Sequence, residues 1–241
     1  MKYKVLITSS GTGSRLGKLT RKRNKSLVKV GGVEVILRTI NSYPDSSEFV
    51  ITIGYLGEDV KRFVKNTVPD KNITFVEVDC YEGEGSSLGY SLLSAESNID
   101  CPFIFHCNDT LVTEEIPVSF SHNWIGWSKG TNNTLFNNRT YSSLKIENNQ
   151  VSEIYGKKYG DSKNLHIGLV GIYDYEIFFK NLRELWESNL FDSSLNDVAA
   201  INLMLRHDIK FQAREFASWL DTGNLPSLTF AEEHILDSKH Q

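Results

Sequence analysis

Cysteine is scarce in this chain: Cys80, Cys101 and Cys107 are three in 241 residues. Their odd number and the lack of C-x-x-C or zinc-ligand spacing exclude a disulfide framework or zinc module, and point to structural thiols in a reducing cytoplasm. Also missing is any hydrophobic run near the roughly 18 residues that a membrane span needs. The amino terminus enters a strand pattern with a short apolar core, so neither a secretory nor a transit leader is read and no membrane partner is expected. Excess positive charge is absent too. With 26 Lys+Arg against 30 Asp+Glu, a net charge of −4 and a pI near 5.9, a nucleic-acid-binding surface is not expected. Sequons such as Asn132-Asn133-Thr134 are then chance matches in an Asn-rich chain.

What is present is a glycine-rich turn, Gly11-Thr12-Gly13-Ser14-Arg15-Leu16, which follows the strand-like Val5-Leu6-Ile7. Seven cations run from Arg15 to Lys29 with no acid among them: Arg15, Lys18, Arg21, Lys22, Arg23, Lys25 and Lys29. Glycines allow backbone N–H groups to approach an anion, and Arg and Lys neutralise what the amides do not, so the stretch is suited to phosphates. Three familiar phosphate loops fit poorly. The dinucleotide fingerprint needs a small residue where Leu16 stands and an acid after the second strand, where Ile53-Gly54-Tyr55 is found. A Walker loop needs glycine and a hydroxyl where Thr12 and Leu19 lie around Gly17-Lys18. The kinase set of His-Arg-Asp and Asp-Phe-Gly is absent.

Strand and helix patterns alternate through the first half: Tyr3–Thr8, Val33–Ser42, Phe49–Ile53, Glu58–Lys65, Thr74–Val78, Leu88–Ala95 and Phe103–Cys107. Repeated β-α-β predicts an α/β fold with a mixed, mostly parallel, Rossmann-like central sheet flanked by helices. Ligands in such sheets bind outside the carboxyl ends of the strands, where the Gly11 turn, the Gly83-Glu84-Gly85-Ser86 turn and Asn108-Asp109 all fall. From about Trp124 the pattern becomes α+β. A hairpin spans Leu144-Lys145-Ile146 and Val151–Ile154, and a strand runs from Leu165 to Tyr173. Helices are expected over Tyr175–Trp186, Leu195–Leu205 and Leu225–Leu236, with a strand at Ile209–Arg214. Ser194 or Asn196 caps the second of these helices, and Asn224-Leu225-Pro226 starts the last. The Asn- and Thr-rich stretch from Gly130 to Tyr141 reads as a loop over the site. One domain covering residues 1–241 is expected.

Together these residues resemble the nucleotidyltransferases that join a nucleoside monophosphate to a sugar 1-phosphate or similar metabolite. The family signature G-x-G-[ST]-R-L, Leu-Thr and a lysine ten residues after the arginine appears as Gly11–Leu16, Leu19-Thr20 and Lys25. Two departures are Asn24, where proline is usual before the lysine, and Ser10, where glycine or alanine is usual. Gly85-Ser86-Ser87 stands where the family sets a small-residue turn against base and ribose, although a helix N-cap uses the same residues. Asn108-Asp109 resembles the family's strand-end N-D. Trp219-Leu220-Asp221-Thr222-Gly223 resembles W-x-D-T-G, over a hundred residues further along the chain. Val151–Lys157 resembles the hairpin strand that ends in an acceptor-binding lysine, with Lys158 a rival. His106, His122 and His166 show no ligand spacing and read as packing or surface residues.

The resemblance implies a GT-A-like nucleotide-diphospho-sugar transferase fold, with a nucleotide-binding half over about residues 1–120 and a small α+β acceptor-binding half over about 121–241. It implies nucleotide contacts from Ser10, Gly11, Thr12, Gly13, Ser14, Gly85, Ser86 and Ser87, catalytic roles for Arg15 and Lys25, and acceptor contacts from Asn108 and Lys157. Mg²⁺ on Asp109 and Asp221 is the implied cofactor. The partners would be an NTP, with a lean to CTP, and a small phosphorylated acceptor, giving pyrophosphate and an activated precursor for surface polysaccharide. Two alternatives stay open. One is a glycosyltransferase of the related fold, whose Asp-x-Asp would fall where Asn108-Asp109-Thr110 stands. The other is a nucleotide-binding homologue without turnover. No motif speaks to oligomeric state.

Overall fold

The computed structural model describes residues 2–130, 140–159, 163–190 and 192–237. The expected loop over the site and its sequon fall mostly within residues 131–139, outside the described residues. In chain order the strands and helices are β1 (Lys4–Ser9), β2 (Lys29–Val30), β3 (Val33–Glu34), α1 (Val35–Asn41), β4 (Glu48–Ile53), α2 (Gly57–Thr67), β5 (Asn72–Glu77), α3 (Leu88–Leu93), β6 (Phe103–Cys107) and β7 (Thr110–Leu111). They continue with β8 (Asn123–Lys129), β9 (Ser143–Glu147), β10 (Gln150–Tyr155), β11 (Asn164–Ile172), α4 (Tyr175–Ser188), α5 (Asp197–Arg206), β12 (Phe211–Glu215), β13 (Leu220–Asp221) and α6 (Leu225–Asp237).

Nine strands form one mixed sheet in the order β5-β4-β1-β6-β11-β8-β12-β10-β9. The run β5-β4-β1-β6 is parallel, and β11 joins β6 antiparallel. Both faces of the parallel part are covered, which is why β1 reads as an unbroken apolar run. Val5 and Ile7 face Ile36 and Ile40 of α1 and Val60 and Val64 of α2, while Leu6 faces the side of Leu92 in α3 and Phe178, Phe179 and Leu182 in α4. On that second face Phe103 stacks on Phe179 with ring centroids 5.4 Å apart. A third apolar cluster holds Leu16, Val28 and Leu111 against Leu228 and Ala231 of α6.

Most expected elements appear within a few residues, and the differences have local causes. Val33-Glu34 leaves the expected helix to pair with Lys29-Val30, because Gly31 and Gly32 take φ of 58° and 82° and close a hairpin. Strand β8 carries no alternation in the sequence: it lies between β11 and β12, and its residues from Asn123 to Gly126 are all buried. Asn196, not Ser194, caps α5, its side chain accepting from the Ala199 N–H at 3.1 Å. The N–H and hydroxyl of Ser194 are committed to Asp192. Asn224 starts α6 as expected, accepting from the Ser227 N–H at 3.1 Å. No helix among the described residues is long and apolar enough to cross a membrane.

Candidate active site

Past the end of β1 the chain turns at Gly13, whose φ of 66° suits glycine, and coils through a short 3-10 segment from Ser14 to Thr20. The turn is compact. The Gly13 carbonyl accepts from the Leu16 N–H at 2.9 Å and from the Thr20 hydroxyl at 3.0 Å. A Cβ on Gly13 would lie 2.9 Å from Lys25 Cβ and 3.0 Å from Thr20 Cγ2, so any side chain there would displace the lysine stem. Five of the seven cations fall into three settings. Arg15 and Lys25 reach the carboxylate of Asp109, Lys29 pairs with Glu34 at 3.5 Å, and Lys22 and Arg23 line a separate groove against Asp59 and Arg62 of α2.

Asp109 follows β6 and is nearly buried, with Lys25 Nζ at 3.5 Å and Arg15 Nη2 at 3.6 Å from its Oδ2. The Cys107 thiol donates to its other oxygen, Oδ1, at 2.8 Å. Burial alone would raise the pKa of this carboxyl; Lys25, the Cys107 hydrogen bond and Arg15 outweigh it and hold the group down to about 2. Burial likewise works against the Lys25 ammonium, and the charge of Asp109 more than restores it. The Cys107 thiol is pushed up by burial and by Asp109, so it stands as a donor.

A two-stranded ladder brings Asp221 to the same place. β13 pairs antiparallel with β7, Asp221 opposite Thr110, and the Thr222 N–H donates to the Asp109 carbonyl at 2.8 Å. Gly223 marks the convergence, since a Cβ there would sit 2.7 Å from Asp109 Oδ2 and 3.2 Å from both Arg15 Nη2 and Asp221 Oδ1. Burial and the neighbouring charge of Asp109 push Asp221 up to about 6, the opposite direction from its partner. Among the described residues no group of three or more His, Cys, Asp and Glu side chains is set to hold a metal ion. Two carboxylates at one point are nonetheless the hard-oxygen donor set that Mg²⁺ takes from a protein, the rest being water and phosphate oxygens. The residues present therefore fit that ion.

A cleft of about 470 Å³ opens beside these groups, lined by residues 10–15 of the signature, Lys25, residues 86–88 and Gly223. The signature turn, the Gly85-Ser86-Ser87 turn and the Asp221 motif thus share one cavity. Gly85 takes φ 84°, and the Ser86 hydroxyl donates to the Gly83 carbonyl at 2.7 Å. Ser87 does cap α3, its Oγ accepting from the Tyr90 N–H at 2.9 Å while the residue also lines the cleft. Ser10, the departure from the usual small residue, has its hydroxyl 2.8 Å from that of Ser91. Thr8, Tyr81, Ser91 and Ser193 complete the lining, and no motif in the sequence marks them. Ser193 comes from the α4–α5 connection, which packs on α3 through the Gly89 N–H to Leu195 carbonyl bond of 2.8 Å. Nothing local in the sequence flags it.

The acceptor residues divide. Asn108 is buried, and neither atom of its amide has a hydrogen-bond partner among the described residues, which leaves donor and acceptor capacity beside Asp109. Lys157 and Lys158 lie exposed on the turn after β10, and none of the contacts around Asp109 reaches them. His106 is the packing residue expected: it is buried, bonded to the Tyr43 hydroxyl at 2.8 Å and the Thr110 carbonyl at 2.9 Å, and burial lowers its pKa to about 4. His166 is more than packing, since its Nε2 meets Asp197 Oδ2 at 2.8 Å in a buried pair that joins β11 to the start of α5.

The nine-stranded sheet, with the signature turn after β1 and Asp109 after β6, has the fold of the nucleotidyltransferases. It superimposes on a putative glucose-1-phosphate thymidylyltransferase from Bacillus anthracis with a TM-score of 0.81 at 20% identity, over 98% of this chain and 96% of that one. The inositol-1-phosphate CTP transferase from T. maritima matches with a TM-score of 0.75 at 18% identity, over 96% and 94% of the two chains. In sequence, 113 residues are 33% identical to the bifunctional IPC transferase and DIPP synthase of Archaeoglobus fulgidus. That match takes in 46% of this chain and 21% of the relative, so it spans about a fifth of that protein's length. No family model matches the chain.

Proposed function

We propose that this protein is a nucleotidyltransferase that moves a nucleoside monophosphate from an NTP onto a small phosphorylated acceptor and releases pyrophosphate. The observation that carries the reading is the β7–β13 ladder, which brings Asp221 to Asp109 where Arg15 and Lys25, both lining the cleft, reach that carboxylate. An acceptor phosphate oxygen attacks the α-phosphorus in line; that O–P bond forms as the bond to the bridging oxygen breaks, and pyrophosphate leaves with the electron pair. No covalent enzyme intermediate is needed. The backbone of residues 10–14 cradles the triphosphate, with Gly85, Ser86 and Ser87 at the base and ribose. Lys25 and Arg15 neutralise charge on the α-phosphate and leaving group, and Asn108 offers its free amide to the acceptor. Mg²⁺ held by Asp109 and Asp221 would supply further charge neutralisation between the two anionic substrates.

CTP is the donor to test first, since one structural neighbour is an inositol-1-phosphate CTP transferase. The acceptor is a sugar 1-phosphate or a related phosphate ester, and the product an activated precursor for surface polysaccharide. The deciding experiment measures pyrophosphate release with Mg²⁺ for CTP, UTP, GTP, ATP and dTTP against inositol 1-phosphate, phosphocholine, glycerol phosphates and several sugar 1-phosphates. Release that depends on one NTP and one acceptor is expected. Silence across the grid in a protein that still binds NTP would overturn the assignment, and transfer from a nucleotide-sugar without pyrophosphate would replace it with glycosyl transfer.

A further inference from the structure

Asn24 stands immediately before Lys25, at the position where the resembled family carries proline. It is fully buried. A primary amide has two N–H donors and one carbonyl oxygen with two lone pairs, and here all four are used. The Asn24 amide donates to the carbonyls of Ser9 at 2.9 Å and Tyr55 at 2.6 Å, and accepts from the N–H of Ser26 at 2.9 Å and its hydroxyl at 2.6 Å. Ser9 ends β1 and Tyr55 lies just beyond β4, so a single side chain ties the carboxyl ends of two adjacent parallel strands to the loop that bears the lysine.

Tyr55 adds a second tie to the same loop. Its N–H donates to the Ser10 carbonyl at 2.8 Å, and its one hydroxyl proton is shared between the carbonyls of Thr20 and Arg21 at 3.1 and 2.9 Å. From the opposite side Gly13 abuts the Lys25 stem. The lysine backbone is thereby fixed before any ligand arrives, and its ammonium already lies 3.5 Å from Asp109. A φ of −62° at Asn24 is one that proline also adopts. Proline would set that angle and leave the Ser9 and Tyr55 carbonyls without these partners. In this chain hydrogen bonds do what a ring does elsewhere.

We propose that Asn24 is the positioning residue for Lys25, holding the ammonium where negative charge develops during nucleotidyl transfer; this rests on the reading of the site given above. A residue that merely satisfied buried carbonyls would affect stability alone. One that positions Lys25 also affects the reactivity of that amine and the chemical step.

The test compares Asn24→Ala with Asn123→Ala. Asn123 is a similarly buried amide at the start of β8, bonded to Asp174 and Tyr173 and distant in the sheet from β1 and β4. Three quantities are read: melting temperature, the rate of Lys25 acetylation relative to exposed Lys65 by mass spectrometry, and kcat and KM for pyrophosphate release. For Asn24→Ala, kcat falls about 100-fold with the KM for NTP within about threefold, and Lys25 acetylation rises about fivefold as the loop opens locally. In Asn123→Ala the melting temperature drops while kcat and Lys25 labelling stay at wild-type values. Unchanged Lys25 labelling in folded Asn24→Ala, or an equal loss of kcat in Asn123→Ala, would overturn the proposal. Should Asn24→Ala fail to fold, Asn24→Ser takes its place with the same expectations, because it is small and uncharged and sets no anionic oxygen against the Ser9 and Tyr55 carbonyls. If no NTP and acceptor turn over in the wild type, the reaction assignment fails, and the labelling still decides whether Asn24 holds Lys25.

Discussion

Replacing Asp221 by Asn makes the metal-free protein more stable at neutral pH while removing its turnover. Burial and the charge of Asp109 lift Asp221 to about 6, against 3.8 for an ordinary aspartate. At about 1.4 kcal/mol per unit, an ionised Asp221 costs the folded state on the order of 3 kcal/mol. The sign follows from proton counting. Between pH 4 and 6 the folded protein binds more protons than the unfolded chain, so its stability falls as pH rises through that window. Asn is neutral at every pH, and its gain over wild type is nil below pH 4 and complete above 6. Part of the gain is lost because the new amide must find acceptors, although its carbonyl can still accept from Asn224, now 3.2 Å from Asp221 Oδ2. A remainder of about 1–2 kcal/mol corresponds to a rise of roughly 3–6 °C in Tm for a chain of this size. The assay is circular-dichroism melting in EDTA at pH 4, 5, 6 and 7. Equal Tm differences at pH 4 and 7, or a variant less stable at pH 7, would refute the account of the carboxylate pair. Adding Mg²⁺ should raise the Tm of wild type more than that of the variant.

Three further outcomes are expected. Lys25→Ala lowers kcat by about 100-fold or more with the fold intact by circular dichroism, since it removes the closer of the two cations on Asp109; turnover near wild type would take Lys25 out of the site. Gly223→Ala places a methyl 2.7 Å from Asp109 Oδ2 and parts the carboxylates, so Mg²⁺-dependent activity falls about tenfold or more while Tm changes by a few degrees; an unchanged Mg²⁺ titration would count against the shared site. Gly171→Ala sets a Cβ 1.9 Å from the indole nitrogen of buried Trp124 and destabilises the sheet by about 3 kcal/mol, read by urea melts, without a role in the chemistry.

How much the sequence carried depended on how local each cause was. The apolar runs of β1, β4 and β6 and the helical periods of α2, α4 and α5 are set by neighbouring residues, and they were readable to within a few positions. So were the glycines of the signature and the two Asp motifs, because a glycine turn and a strand-end carboxylate each state a local requirement. β8 escaped because burial on both faces erases alternation, and β7 and β13 because two-residue strands have no period to detect. Asn24 could be seen in the sequence as a departure from a pattern; its four hydrogen bonds could not, because two of their acceptors come from Ser9 and Tyr55 on other elements.

From its residues alone this chain determined an α/β framework with a glycine turn suited to phosphate at its first strand end, and the types of side chain available there. Tertiary structure decided which of seven cations meet a carboxylate, that Cys107 donates to Asp109, and that Asp109 and Asp221 move in opposite directions in pKa. The reason is physical. Periodicity and turn chemistry depend on residues a few positions apart, whereas electrostatic strength depends on burial and on separations of 3–4 Å between groups far apart in the chain, which are set by the pairing of β1 with β6 and of β7 with β13.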